Sequence, residues 1–326
     1  MWQYLPAFIP SLLVIAGNLL GAEFSASNMI FTLVLLVLID FLVRENRSRN
    51  AFKAGVLSDS LLILAVFFHL SSLFSLFSGI LSHRISGSWI WFAAVSTGLN
   101  AGLLGLNSAH ELIHRKKKLL KNLGILNLFF CCYAHFFVEH RLGHHARVGT
   151  KEDPATARKG EGFYRFLFRT IPGQWLSALK LASRQNPGRD WTGNFVIRVS
   201  LAECLFAGIL LAIRTELGLA FLLSSLVAVF LLEYVNYIEH YGLLRQAGEK
   251  PAAEHAWQSD SGLSRFHLFE LSRHSHHHME AYVPYPELES MESPRRLPFG
   301  YFGMFYIALL PPLWFRVMDR RLDNNG

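Results

Sequence analysis

The chain is poor in charge and in cysteine. Only 17% of its 326 residues are Asp, Glu, Lys or Arg, against a hydrophobic fraction of 52% and a mean hydropathy of +0.27. That is too little charge for the water-facing surface of an ordinary soluble protein. The three cysteines, Cys131, Cys132 and Cys204, all lie in apolar surroundings. Two of them are neighbours, a poor geometry for a crosslink, and none shows zinc-type pair spacing, so a disulfide scaffold and a cysteine–zinc fold are both excluded. No internal repeat, low-complexity tract or Pro/Ser-rich linker divides the sequence, and one domain over 1–326 is expected. The first apolar run lacks a basic start and a small-residue cleavage site, so no cleavable leader is expected. The net charge of +7 gathers beside the ends of apolar runs. That is the pattern of membrane topology, and it gives no indication of nucleic-acid binding.

What stands in place of charge is apolar sequence in long runs. A helix that crosses a bilayer needs about 17–25 mainly apolar residues. Six runs meet that length, at roughly 4–22, 26–43, 57–81, 88–109, 194–213 and 217–238, the second carrying Asp40 near its end. Arg44, Arg47, Arg49 and Lys53 mark the cytoplasmic side. The His83-Arg84 loop then faces out, Arg115 to Lys118 returns to the cytoplasm, and both termini lie there. The run 119–138 breaks the alternation. Were it to span, Glu139 to His145 would emerge opposite His110 and His114, together with the cations from Arg141 to Arg189. A re-entrant or interfacial helix is therefore expected at 119–138, with His135 on its flank. The same is expected at 299–315, which contains Pro311-Pro312 and is bracketed by Arg295, Arg296 and Arg316. The fold class is an all-α integral membrane protein with six transmembrane helices.

Histidine is what these runs deliver to one face. His110 and His114 stand four apart around Glu111, so on a helix both rings share a side. His140 and His144 repeat the spacing with His145 adjacent, and His240 follows the sixth run. His274, His277 and His278 stand at i, i+3 and i+4, with His276 turned away. Neutral imidazole is the commonest ligand for iron, zinc and copper. Nine such histidines are too many for one tetrahedral zinc and suit two metals sharing a site at the cytoplasmic face. His69, His83, His135, His255 and His267 stand alone and read as structural or interfacial.

Asn107, Glu111, Asp153, Glu233, Asn236 and Glu239 lie beside the clusters. A ligating imidazole usually gives its other N–H to such a group, which fixes the tautomer. Gly143 lets the backbone approach closely or turn before the second cluster. Asn100, Glu203 and Glu233, within spans, are costly unless they face the bundle interior. His-Glu-x-x-His is also the zinc metalloprotease signature, with Glu111 as base, and membrane proteases use it. That reading stays open, although it leaves seven clustered histidines without a task.

Asn107-Ser108-Ala109-His110-Glu111-Leu112-Ile113-His114-Arg115 resembles the first histidine box of the membrane alkane monooxygenases, the alkane ω-hydroxylases, within the histidine-box desaturase and hydroxylase superfamily. The resemblance continues through Glu139-His140-Arg141-Leu142-Gly143-His144-His145, Glu152-Asp153-Pro154-Ala155 and Gly160 to Phe166. Asn236-Tyr237-Ile238-Glu239-His240-Tyr241-Gly242-Leu243 is similar to the box that separates this family from ordinary fatty-acyl desaturases. Arg273-His274-Ser275 with His277-His278 resembles the last box, and Pro311-Pro312-Leu313-Trp314 the usual ending. The likeness runs from about residue 100 onward, and the first three spans share only hydropathy with the family. Two positions depart from the pattern, with His276 where the family usually has Asp and Ser272 where it usually has Gln.

The resemblance implies two non-haem iron ions held by His110, His114, His140, His144, His145, His240, His274, His277 and His278. Asn107, Glu111, Asp153 and Glu239 would support those ligands from behind. It implies O2 as oxidant, electrons from rubredoxin and its NAD(P)H-dependent reductase, and attack on the terminal methyl of an n-alkane or similar aliphatic chain. The place implied is the bacterial inner membrane, with the active site towards the cytoplasm. Relatives with the same centre that act on alkylaromatic methyl groups or desaturate an acyl chain are the nearest alternatives. The cationic collar of Arg115, Lys116, Lys117 and Lys118, with Arg141 and Arg147, is suited to an acidic electron carrier.

Overall fold

The structure is a computed structural model that describes residues 1–185, 191–246, 248–292 and 295–323. Arg189, counted above among the cations, lies outside them. The described residues form helices, turns and two isolated bridges, and no strand.

The helices Trp2–Leu20, Ala22–Leu42, Val56–Leu81, Trp89–Ile113, Phe195–Ile213 and Thr215–His240 are long and apolar enough to cross a membrane, in agreement with the six runs read from the sequence. The longest have 26 residues. At 1.5 Å per residue that is about 39 Å, against roughly 30 Å of hydrocarbon. Leu12, Leu38, Phe67, Leu205 and Leu226 are each more than half exposed, as a lipid-facing surface requires.

The chain divides into two compact units. The first comprises Met1–Leu36, Gly55–His135 and Arg189–Leu231. Its apolar core joins Leu73, Leu76 and Phe77 to Ala93, Ala94, Leu210 and Phe221. The polar residues inside it are paired: Ser11 Oγ donates to Asn100 Oδ1 (2.8 Å), Asn100 Nδ2 to Ser72 Oγ (3.1 Å), and the Ala134 N–H to Glu203 (2.8 Å). Such pairing is what makes an amide or carboxyl tolerable within a bundle. The run 119–138 yields a helix of only 12 residues, Lys118–Phe129, followed by turns. At about 18 Å it is too short to span.

The second unit comprises Val37–Ala54, Phe136–Gly188 and Leu232–Gly326. Asp40 is buried here, accepting from the Ser261 hydroxyl and from the Gly303 N–H (2.8 Å). Those donors explain how a carboxylate sits near the end of an apolar helix. Arg265, Glu270, Arg273 and Asp260 form a fully buried ion network, with Arg265–Glu270 at 2.7 Å and Arg273–Glu270 at 3.4 Å. Arg273 also donates to the carbonyls of Leu288 (2.6 Å) and Ser48 (2.7 Å). Charges this deep persist only when almost completely paired, and this pairing pins the backbone immediately before His274. The run 299–315 becomes two helices, Tyr301–Leu309 and Pro311–Asp323, which meet at the proline pair.

Candidate metal centre

The second unit gathers seven histidines into two adjoining clusters. The segment around the second box is a π-helical turn, Glu139–His144, followed by the short helix His145–Arg147. A π turn holds one residue more than an α turn, and such turns recur at functional sites. The extra residue places His140 beside His145, five positions on, with their Nε2 atoms 3.0 Å apart. The His277 Nε2 lies 3.1 Å from that of His145, and the rings of His140 and His277 run nearly parallel, 13° apart.

His144 belongs to the other cluster, with His240, His274 and His278, all buried and with ligand atoms within 4.8 Å of one another. The His274 Nε2 is 3.2 Å from the His240 Nε2 and 2.8 Å from that of His278. His144 is followed directly by His145, and His277 by His278, so consecutive residues feed neighbouring clusters. The His145 and His278 ring centres are 4.8 Å apart.

These positions fit a metal. The His274 Nε2 faces the Nε2 atoms of His240 and His278 and also Glu239 Oε2 at 3.1 Å. One N–H cannot serve three such neighbours. A cation can, because nitrogens about 2.1 Å from an ion at right angles stand about 3.0 Å apart. The His144 Nε2 is buried and has no hydrogen-bond partner among the described residues.

Around the rings, other side chains fix the chemistry. Asp153 Oδ2 lies 2.9 Å from the His144 Nδ1 and accepts the Thr156 hydroxyl at 2.7 Å. Burial pushes the Asp153 carboxyl upward, but the His144 imidazole and these hydrogen bonds outweigh it, and its pKa lies below the ordinary 3.8. An ionised Asp153 holds the proton of His144 on Nδ1 and leaves Nε2 bare. Burial, reinforced by the neighbouring imidazoles, holds His278 well below the usual histidine range, so it is a neutral donor. Glu139 is pushed up to about 7 by burial, against the pull of Ser177 and Arg147. Arg147 bonds Glu139 (2.9 Å) and the Ser177 hydroxyl (2.6 Å). Gly143 is needed here for space, since a Cβ would stand 2.4 Å from Glu139 Oε1 and 2.5 Å from an Arg147 guanidinium nitrogen.

In the first unit, His110 and His114 occupy the end of the fourth span and its cap, both buried, with ring centres 5.3 Å apart. Glu111 is buried and lies 3.7 Å from Arg115. Asn107 is buried, and neither its amide nitrogen nor its oxygen has a hydrogen-bond partner among the described residues.

Glu239 turns its Oε2 to the inward-facing nitrogen of His274, while Oε1 accepts the Tyr301 hydroxyl at 2.6 Å. His276 stays outside both clusters, half-buried, its Nδ1 accepting the Glu289 N–H at 2.8 Å. His135 is buried against Tyr133 and driven down to about 4 by that burial. Lys116, Lys117 and Lys118 are exposed, whereas Arg115 lies 3.7 Å from Asp59 as well as from Glu111. Arg141 rests on the Phe137 ring. Tyr301, Thr156 and Ser177 were not singled out from the sequence. Only Thr156 carried a signal there, in the turn after Asp153-Pro154.

The profile of the fatty acid desaturase family matches residues 86–309. The chain is 37% identical over 257 residues to alkane 1-monooxygenase 2 of Pseudomonas aeruginosa, which covers 74% of this chain and 68% of that one. It is 34% identical over 241 residues to the alkane 1-monooxygenase of Acinetobacter baylyi, covering 71% and 59%. The hydroxylase component of the xylene/toluene monooxygenase of Pseudomonas putida is 27% identical over 231 residues, covering 68% and 61%. The matched region thus takes up 68% of the first relative's length and about three fifths of the other two. Two histidine clusters, six helices long and apolar enough to cross a membrane, a desaturase profile over most of the sequence and identities of this size have one common explanation: the chain belongs to the fatty acid desaturase family and, within it, to the membrane-embedded alkane 1-monooxygenases.

Proposed function

We propose that this chain inserts one oxygen atom of O2 into the terminal C–H bond of an n-alkane or similar aliphatic chain. Two iron ions would be held by His110, His114, His140, His144, His145, His240, His274, His277 and His278, with residues 1–326 acting as one catalytic domain. The observation that carries this reading is the pair of adjoining imidazole clusters whose Nε2 atoms face one another at 2.8–3.2 Å. An alkane C–H bond has no acidic proton, leaving group or electrophilic carbon, so acid–base and nucleophilic side chains have nothing to act on. A redox metal pair held there would activate O2, which is the oxidant. The reaction balances when the alkane, O2, two electrons and two protons give the alcohol and water.

The chain's own groups do the remaining work. Asp153 keeps the His144 Nε2 free of a proton, and burial of every one of these histidines but the half-buried His145 limits the access of water. Apolar residues of the first four spans would orient the substrate, with discrimination of only about 1–3 kcal/mol per methylene. Rubredoxin and its NAD(P)H-dependent reductase would supply the electrons from the cytoplasmic side of an inner membrane. The exposed Lys116, Lys117 and Lys118 are the residues of the collar most open to an acidic carrier. The xylene/toluene relative supports a second reading, attack on the methyl group of an alkylaromatic.

The test is to incubate membranes carrying the chain with rubredoxin, its reductase, NADH and a ladder of n-alkanes plus toluene. Terminal alcohols and two irons per chain are expected. One zinc per chain with no oxygenated product would overturn the reading in favour of the protease chemistry of His110-Glu111-x-x-His114. His240→Ala should abolish hydroxylation and lower iron content, and normal activity in that variant would remove His240 from the centre.

A further inference from the structure

The fourth span is not one regular helix. An α segment, Trp89–Asn100, gives way to a π turn, Ala101–Leu106, before α-helix resumes at Asn107–Ile113. Inserting one residue in this way rotates everything beyond it by about 100° about the helix axis. The turn therefore sets which way His110 and His114 face. Carbonyls at such a turn, each with two lone pairs, can also take donors from neighbouring side chains.

The first unit supplies them from its interior. Gly105 O accepts from Asn127 Nδ2 (3.1 Å) and from the Ser108 hydroxyl (3.1 Å). Asn127 Nδ2 also lies 3.1 Å from Ser108 Oγ. Asn127 Oδ1 meets the His69 Nδ1 at 3.0 Å, and the His69 Nε2 lies 3.9 Å from the Cys131 thiol. Only one assignment of protons satisfies this chain. A carbonyl can only accept, so the amide nitrogen of Asn127 faces Gly105 and its oxygen faces His69. His69 then carries its proton on Nδ1, and Cys131 donates to the bare Nε2. His69, Ser108, Asn127 and Cys131 are all buried to 1% exposure or less. Gly105 completes the fit, because a Cβ there would stand 2.8–2.9 Å from three atoms of the His69 ring.

We propose that His69 and Asn127 are positioning residues for the metal centre: through Gly105 and Ser108 they lock the π turn and so the rotational setting of His110 and His114. An apolar pair of similar volume would pack the same space without polar groups to satisfy, and it would leave the turn free to relax into α-helix. A fully satisfied buried network is suited to fixing one arrangement. The proposal rests on the reading of His110 and His114 as ligands.

The experiment uses the full chain, purified in detergent and loaded with ferrous iron. It measures iron per chain, the rate of iron release to excess chelator, and apparent melting temperature. Asn127→Leu and Gly105→Ala should speed release about tenfold or more, the size expected when support behind a ligand is lost. Asn18→Leu breaks another buried hydrogen bond of the same unit, from Asn18 Nδ2 to Ser75 Oγ (3.0 Å). It should lower the melting temperature comparably and leave release unchanged. His69→Gln, whose amide N–H can replace the Nδ1 donor, should stay within about threefold of the parent. Release unchanged in Asn127→Leu, or raised equally by Asn18→Leu, would overturn the positioning role alone. A parent chain that binds no iron would overturn the ligand reading and this proposal with it.

Discussion

Asp153→Asn tests the electrostatic design of the second cluster with the smallest change of shape. Asp153 is 1% exposed; its Oδ2 takes the His144 Nδ1 proton and the Thr156 hydroxyl, and its Oδ1 takes the Ala155 N–H at 3.1 Å. An asparagine must put an NH2 at one of those two places. Facing Ala155 it sets donor against donor. Facing His144 it demands the other tautomer, in which Nε2 carries the proton and cannot bind a metal. A hydrogen bond to a charged group contributes about 1.5–3 kcal/mol, against about 0.5–1.5 for a neutral one, and here one of the two contacts is mismatched in either orientation. Changing the partner behind a ligating imidazole typically costs 10–100-fold in metal affinity. The mismatch argues for the upper part of that range, about 30–100-fold, or roughly 2–3 kcal/mol.

The assay is iron release to excess chelator, with iron per chain as a check. Thr156→Val keeps the carboxylate and removes one of its donors, so it should cost well under tenfold. The sign of the pH dependence follows from the depressed pKa of Asp153. Its contribution is complete above about pH 4 and is lost only as pH falls below the ordinary carboxylate value. Release from the parent should therefore show no inflection from Asp153 between about pH 5 and 8. Release from Asp153→Asn within twofold of the parent, or a Thr156→Val effect as large, would refute the tautomer argument.

Other perturbations test other parts of the structure. His267, buried with its pKa driven down to about 4, takes up its proton more readily when unfolded, so stability should fall as pH drops from about 6.5 towards 4. The loss is up to about 3 kcal/mol, and His267→Gln should flatten the acid limb of apparent melting temperature against pH. Gly143→Ala forces a Cβ onto the part-buried Glu139–Arg147 pair and should lower iron content with at most a modest change in melting temperature. His276→Ala should leave iron content unchanged, because the ring bonds the Glu289 N–H outside both clusters. Glu111→Gln should retain partial hydroxylation. A dead variant with normal iron content would revive the protease chemistry.

The spans were legible because hydropathy depends on local composition alone. Asp40 shows the limit of that reading. Its partners, Ser261 and Gly303, stand 221 and 263 residues away, and no window of sequence brings them together. The exclusion of 119–138 from the spans rested on charge placement, and the structure supplies the independent reason, a helix of 12 residues. His69 stands isolated in the sequence for the same cause as Asp40. The thiol, amide and backbone that give it work lie in other helices.

The nine histidines were visible as boxes, but their division was not. Spacing arguments assume 3.6 residues per turn, which pairs His140 with His144. The π turn pairs His140 with His145 instead and hands His144 to His240, His274 and His278. Sequence carries little signal for a π turn, because its cost is met by tertiary contacts and not by local propensity. One feature of the boxes nevertheless encodes the outcome. Consecutive residues on a helix diverge by about 100°, so a His-His doublet cannot aim both rings at one ion. Two doublets, His144-His145 and His277-His278, each split between the clusters, so one short turn of each segment lines both. A single-metal site needs only alternate faces of helices. Doublets at the ends of two separate boxes are the pattern that two adjoining ions would require.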